Sequence, residues 1–356
     1  MDLFEKQVDD NKLHRNFKSL LVEAREKERK VLNEWADGFP DRDKKFVKEF
    51  QTTFNSSFWE IYLYKLFKEM NFNFDWDFPS PDFSLEYKDI EFIVEATISN
   101  NAQNELEEWE KEDLTEAYDN YLANMNEKNI YSIIRLANSF QSKLSKYRDK
   151  DKHHSSYGTL PHVVNKPFII AIASFEQPLH YHQYDRPIMA LLYDFYVDEE
   201  EYWRHPERYP YGPPDVSLEY VEKENGNLIL LGMFMNDKAS EISAVLFNPL
   251  ATVGKVSNMI EEKEGLFAHT WLTDENKLER TTDQDEIIED GLFILHNPFA
   301  KYPLSEDIFD KERICQVFMD KNTFVIRKSF GKKHLSSRLT FSANSKHDEI
   351  PKGDMK

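Results

Sequence analysis

Cysteine is all but missing from this chain: one residue in 356, Cys315. It can close no internal disulfide and supply no thiolate cluster for zinc, and a reducing cytoplasm is the expected setting. Long apolar runs are missing too. The longest, FIIAIASF at 168–175, falls well short of the roughly 20 residues that cross a bilayer. The N-terminus, MDLFEKQVDD, lacks the basic start and apolar stretch of a secretion signal, so no membrane association is expected. Positive charge is in deficit, with 45 Lys and Arg against 65 Asp and Glu and a net charge of −20. That balance repels polyanions at long range and argues against indiscriminate coating of nucleic acid. It does not exclude an enzyme that meets a phosphodiester at one acidic centre behind a local basic rim. No Gly-X-Ser-X-Gly occurs, and Pro249 stands where a phosphate-binding loop ending in Gly254-Lys255 needs glycine, so neither chemistry has an anchor. Cys315 sits in an apolar strand pattern, where a thiol is ordinarily an inert small hydrophobe. No internal repeat is visible.

What is present is ample core material, 40% hydrophobic and 14% aromatic, in a pattern that alternates between helical and strand periods. Residues 2–36 read as one long amphipathic helix, ended before Pro40, with a second helix over Asp41–Phe54. A third, Phe58–Met70, is expected to be capped by Asn55 or Ser56 and to carry Glu60 beside its buried stripe. Three strands follow, FNFDWDF, SPDFSLEY and DIEFIVEAT, then acidic helical sequence over Glu105–Asn126 and a stronger helix from Asn129 to about Lys150. KPFIIAIAS reads as a strand covered on both faces. Further strands are expected at Val216–Tyr220, Leu228–Gly232, Ile242–Phe247, Leu292–His296 and Gln316–Arg327, with helices at Pro187–Tyr196 and Ala251–Glu261. The fold class is α/β (α+β): a mixed central sheet flanked by helices, with an αβββαβ core. The expected parts are an N-terminal helical segment (1–54), the core (55–175), a C-terminal α/β extension packed on it as one continuous globule (176–335), and a disordered polar tail (336–356).

The stretch SPDFSLEYKDIEFIVEAT is the most informative. Folded about a Lys88-Asp89 turn, it sets Asp82 across from Glu95. Phe83, Leu85 and Tyr87 then share the opposite face with Ile90, Phe92, Val94 and Ala96, which is wholly apolar. Like charges directly opposed are destabilising, and a bound cation would remove that cost.

Pro81-Asp82 at the second strand and Glu95-Ala96-Thr97 at the third resemble the PD-(D/E)XK nuclease superfamily over about a third of the chain. The resemblance implies a Mg²⁺- or Mn²⁺-dependent endonuclease acting on DNA, with Asp82 and Glu95 as metal ligands and Glu60 as an accessory ligand or water-positioning group. A role in restriction or defence rests on fold-level analogy. Thr97 departs from the pattern, because it cannot carry the charge of the family's lysine. Some members are understood to place that lysine on a neighbouring helix. On the helix from Asn129, Ile133, Ala137, Phe140, Leu144 and Tyr147 define the buried stripe, and Lys143 lies about 60° off Phe140, the better placed of two lysines. Lys146, about 120° away, is expected in solvent. Lys146, Thr97 and Gln141 are candidate substrate contacts. The segments SAVLFNPLATVGKVSNM and LHNPFAKYPL are similar to parts of an uncharacterised bacterial family that joins such a core to a C-terminal extension.

Rival constellations are weaker. His180, His182 and Asp185 have zinc-ligand chemistry but no fourth ligand at diagnostic spacing. His153-His154 and His162 occupy a polar loop that substrate could touch. Two basic clusters, Lys143 to Lys152 and Arg327 to Arg338, offer a local rim or merely solvated surface. The tryptophans read as core and interface rather than a base-stacking platform. The alternative to a nuclease is a catalytically degenerate member of the fold that scaffolds nucleic acid or protein, pairing with a second copy or a partner through the N-terminal helix.

Overall fold

The computed structural model describes residues 1–42, 44–101, 123–149, 155–260, 266–275, 277–282 and 285–341. Eight helices are labelled here in chain order: α1 Arg15–Leu20, α2 Glu26–Trp35, α3 Phe46–Thr52, α4 Phe54–Glu69, α5 Met125–Arg148, α6 Arg186–Tyr193, α7 Glu199–Arg204 and α8 Val253–Asn258. The strands are β1 Asn73–Asp75, β2 Phe83–Tyr87, β3 Ile90–Asn100, β4 Phe168–Phe175, β5 Tyr196–Val197, β6 Asp215–Val216, β7 Tyr220–Glu222, β8 Leu228–Leu230, β9 Ala244–Phe247, β10 Leu266–Thr273, β11 Leu278–Thr281, β12 Phe293–His296, β13 Cys315–Met319, β14 Ile326–Ser329 and β15 Lys333–Phe341.

A mixed eight-stranded sheet in the order β1-β2-β3-β4-β9-β12-β13-β14 forms the centre. The β3-β4-β9 run is parallel, and the pairs β1-β2, β2-β3 and β9-β12 are antiparallel. Alternation along the strands builds one core on each face. Phe92, Val94, Ala96, Ile169 and Ala171 join α1 to α4 on one side, while Ile93, Ile170 and Ile172 join α5 and α6 on the other. Helix α4 is buried nearly all round. Its Trp59 indole N–H donates to the Ala171 carbonyl of β4 at 3.1 Å, pinning the helix across the middle of the sheet.

The β2-β3 register is the expected one: Phe83 pairs with Val94, Leu85 with Phe92 and Tyr87 with Ile90. Lys88 and Asp89 both take positive φ, 50° and 64°, the backbone of a tight hairpin turn. The second face of β3 is not open, however. Helix α5 packs over it, so Ile93 is fully buried and Glu95 is only 2% exposed.

Elsewhere the structure corrects the sequence reading. The N-terminal segment is not one helix: α1, a 3₁₀ turn at Glu23–Arg25 and α2 follow in turn. Leu21 and Val22 stand in solvent at the break, where Arg29 takes the carbonyls of Leu20 and Val22 at 2.6 and 2.8 Å. Helix α4 starts at Phe54, and no side chain caps it; neither Asn55 nor Ser56 does, because both lie inside the helix. Strand is interrupted between Val216 and Tyr220, and again between Met319 and Ile326, where the chain reverses to pair β13 with β14. Residues after Ser336 are not all tail: β15 pairs with β10 through Leu266↔Phe341. The acidic segment read as helical lies largely outside the described residues, as do residues 342–356 and His153-His154.

The anchor of β15 is an ion cluster. Arg338 donates to both Glu286 oxygens at 2.7 Å, and Lys255 reaches Glu286 at 2.6 Å. All three are buried. Burial opposes the Glu286 charge, but Arg338 and Lys255 outweigh it and hold the carboxyl far below its ordinary range.

Candidate functional site

Asp82 precedes β2, and its Oδ2 accepts the Ala96 N–H of β3 at 2.7 Å, fixing the carboxyl against the strand beside Glu95. Main-chain contacts hold the approach to it from two sides. Arg42 donates to the Phe78 carbonyl at 2.6 Å and more weakly to that of Asp82 at 3.4 Å, with its guanidinium over Trp76. His162 Nε2 lies 2.8 Å from the Ser80 carbonyl, and its ring stacks on Phe78 at 3.8 Å.

Glu95 points toward α5. Its Oε1 accepts from Lys143 at 2.6 Å and lies 3.5 Å from Lys146 Nζ and 3.4 Å from the Tyr157 hydroxyl. Lys143 is therefore where the helical phase places it, flanking the buried stripe of Ile133, Ala137, Phe140 and Leu144. Lys146 is half exposed, 52% at the side chain, yet its four-carbon stem lets the ammonium return to Glu95. Lys146 is thus exposed, as its helical phase implies, while still reaching the site. Gln141 is turned away: it is exposed and its amide meets the Met233 sulfur at 3.4 Å, on the other side of α5. Thr97, on β3, pairs in register with Ile172 of β4.

Burial, then the Glu95 charge, pushes the Asp82 carboxyl up to about 7. Burial and then Asp82 push Glu60, on α4, up to about 8. Burial pulls the Lys143 ammonium down, but Glu95 and Asp82 outweigh it and the net displacement is upward. Three carboxyls thus crowd one end of the β2-β3 ladder, against two lysines from one helix.

Glu95 Oε2 is buried with no hydrogen-bond partner, a position that desolvation makes costly for a carboxylate. An orphaned oxygen beside a second, repelled carboxyl is a donor set that fits a hard divalent cation. Among the described residues no three Asp, Glu, His or Cys side chains converge on a point where they could hold a metal. Glu60 and Asp82 nonetheless sense each other's charge. The zinc constellation is likewise not assembled: Asp185 pairs with Lys328, and His180 is buried.

Arg42 and Tyr157 were not singled out from sequence. The signal for Tyr157 lies in its neighbour. A Cβ on Gly158 would come within 2.7 Å of the Tyr147 ring, so glycine lets the loop press onto α5 and aim Tyr157 at Glu95. Three side chains of the C-terminal basic cluster are tied to acids. Lys328 binds Asp185, Lys332 pairs with Glu312 at 2.8 Å, and Arg338 is buried on Glu286.

No family model, curated protein or solved structure matches this chain.

Proposed function

We propose that the chain is a divalent-metal-dependent nuclease, hydrolysing phosphodiester bonds in DNA at the Asp82–Glu95 site. The observation that carries the reading is the ammonium of Lys143, delivered from α5 to within 2.6 Å of Glu95 Oε1 where the strand itself offers only Thr97. In this reading Asp82 and Glu95 hold Mg²⁺ or Mn²⁺, which when bound polarises the phosphate and lowers the pKa of a bound water. Lys143 orients that water and offsets the charge that develops on the phosphate. Lys146, half exposed at the mouth of the site, meets the substrate backbone. Glu60, which burial and Asp82 push up to about 8 in the metal-free site, stands by as an accessory ligand or water-positioning group. The test is cleavage of plasmid and of single-stranded DNA with Mn²⁺. Glu95→Gln and Lys143→Met should each lower the rate at least about a hundredfold, the size seen for removal of a positioned catalytic group. Metal-dependent cleavage that persists in both would overturn the assignment.

One observation favours the second reading, a degenerate scaffold. The Lys143–Glu95 pair already balances the buried carboxylate without a cation. Thermal unfolding separates the two: in a scaffold, Mn²⁺ leaves the melting temperature of the wild type unchanged.

A further inference from the structure

Helix α5 has a second working face. Counted at about 100° per residue, Lys143 and Lys146 lie about 100° to 180° round the helix from Ala137, Gln141 and Leu144, and those three residues form one wall of a groove of about 590 Å³. The facing wall comes from the β7-β8 hairpin and the turn after it, Leu228 to Met233. In that hairpin Tyr220 pairs with Leu230 and Glu222 with Leu228. These residues share its outer face, while Val221 and Ile229 pack inward. An outer face should be polar, yet Leu228, Leu230 and Tyr220 are 57%, 61% and 48% exposed. Scattered exposed leucines are ordinary, but two forming one wall of a concave site are not.

The charge around the groove is as selective. Arg148, Lys223 and Lys238 line it and, among the described residues, no carboxylate does, in a chain that carries 65 acids against 45 bases. Arg148 is taken by Glu241 at 2.6 Å. Lys223 meets only the neutral amide of Asn138, at 2.8 Å, and among the described residues neither Lys223 nor Lys238 is paired with a carboxylate. The Gln141 amide has a thioether as its contact, a weak acceptor that a carboxylate would replace to advantage. Glu222, across from Leu228, is outside the lining.

We propose that this groove binds a small organic anion with an apolar body, an aliphatic or aromatic carboxylate whose head meets Lys223, Lys238 and Gln141 while its body covers Leu228, Leu230 and Leu144. The volume lies within the 300–1,000 Å³ range of small-ligand sites. The apolar walls would leave inorganic phosphate poorly solvated, and two unpaired lysines are too few to track a nucleic-acid backbone. The site is separate from the Asp82–Glu95 centre and stands or falls independently of it.

The test is calorimetric titration of the full chain with decanoate, with decyltrimethylammonium as the charge-reversed probe, alongside light scattering. Decanoate is expected to bind saturably with one molecule per chain, more weakly as salt rises, with no saturable binding of the cation. Lys223→Glu and Leu230→Asp, both at surface positions and checked for native near-UV dichroism, should each weaken binding about tenfold or more, since like-charge contact and loss of the apolar wall each act on one part of the ligand. Trp203→Ala, an exposed apolar change elsewhere, should leave it unchanged. The proposal is overturned by absent or unsaturable binding, by equal binding of the cation, or by both groove variants binding like the wild type. It is overturned equally by a dimer that Leu230→Asp dissociates, which would make a second copy the occupant.

Discussion

Replacing Asp82 by asparagine should stabilise the folded protein, but only on one side of neutrality. Asparagine keeps an acceptor for the Ala96 N–H and removes the charge that burial and Glu95 oppose. The Asp82 carboxyl moves from 3.8 to about 7 on folding, so the native state binds the proton more tightly than the unfolded chain. Stability from such a group is complete below about pH 4 and is lost as pH rises toward 7. At about 1.4 kcal/mol per unit, a shift of roughly three units sets a ceiling of about 4 kcal/mol. Asp82 is partly open to solvent, and Lys143 opposes the shift, so about 2 kcal/mol is the working expectation. For a chain of 356 residues that corresponds to about 3 °C in melting temperature. The assay is thermal unfolding of wild type and Asp82→Asn at about pH 3.5, below the unfolded-state pKa, and about pH 8.5, with and without Mn²⁺. Without metal, the variant should melt higher at the alkaline pH and equally at the acid one. With metal, the order at alkaline pH should reverse, because only the wild type gains from binding. A variant that melts lower than wild type by the same amount at both pH values would refute the claim that these carboxyls repel each other.

Arg338→Leu leaves Glu286 fully buried with only Lys255 as a charged hydrogen-bonding partner and should cost about 3–5 kcal/mol in urea unfolding; Arg338→Leu combined with Glu286→Leu should recover part of that loss. Thr97→Lys, placed in a Lys143→Met chain, should restore some metal-dependent plasmid cleavage, because it returns an ammonium to the β3 side of Glu95; no recovery would mean that Thr97 cannot present a charge to the site. Lys88→Asn with Asp89→Gly should add about 1 kcal/mol, since both positions hold positive φ that Asn-Gly adopts more readily. That gain, read from a denaturation midpoint, should leave metal response unaltered.

The hairpin could be read from sequence because its register is local. A two-residue turn and strict alternation from Phe83 to Val94 allow one pairing that buries Phe92 and Leu85 together. Lys143 was legible for the same reason, since the phase of one long helix decides which side chain flanks Phe140. The cover over Ile93 and Glu95 was not, because it depends on where α5 docks after a crossover to β4. Strand β15 was missed because its polar sequence is held by partners far along the chain, Arg338 to Glu286 and Leu335 against Trp271. The break between α1 and α2 was hidden because Arg29 satisfies the exposed carbonyls of Leu20 and Val22 from nine and seven residues away, beyond the reach of periodicity.

The strand order has a consequence for how the molecule is made and handled. Strand β4 is buried on both faces and flanked by β3 and β9, and its second neighbour begins only at Ala244. The Tyr62 hydroxyl of α4 bonds the Ile288 carbonyl, 226 positions later. Contacts of such span must await most of the chain, so folding should be slow and pass through species with an unpaired sheet. A fragment ending at residue 175 would expose FIIAIASF as an edge strand with no neighbour on one side, a template for edge-to-edge association. The segment that carries Asp82, Glu95 and Lys143 thus has its sheet edge covered by sequence far outside it, and a fragment trimmed to that segment should associate more readily than the whole chain.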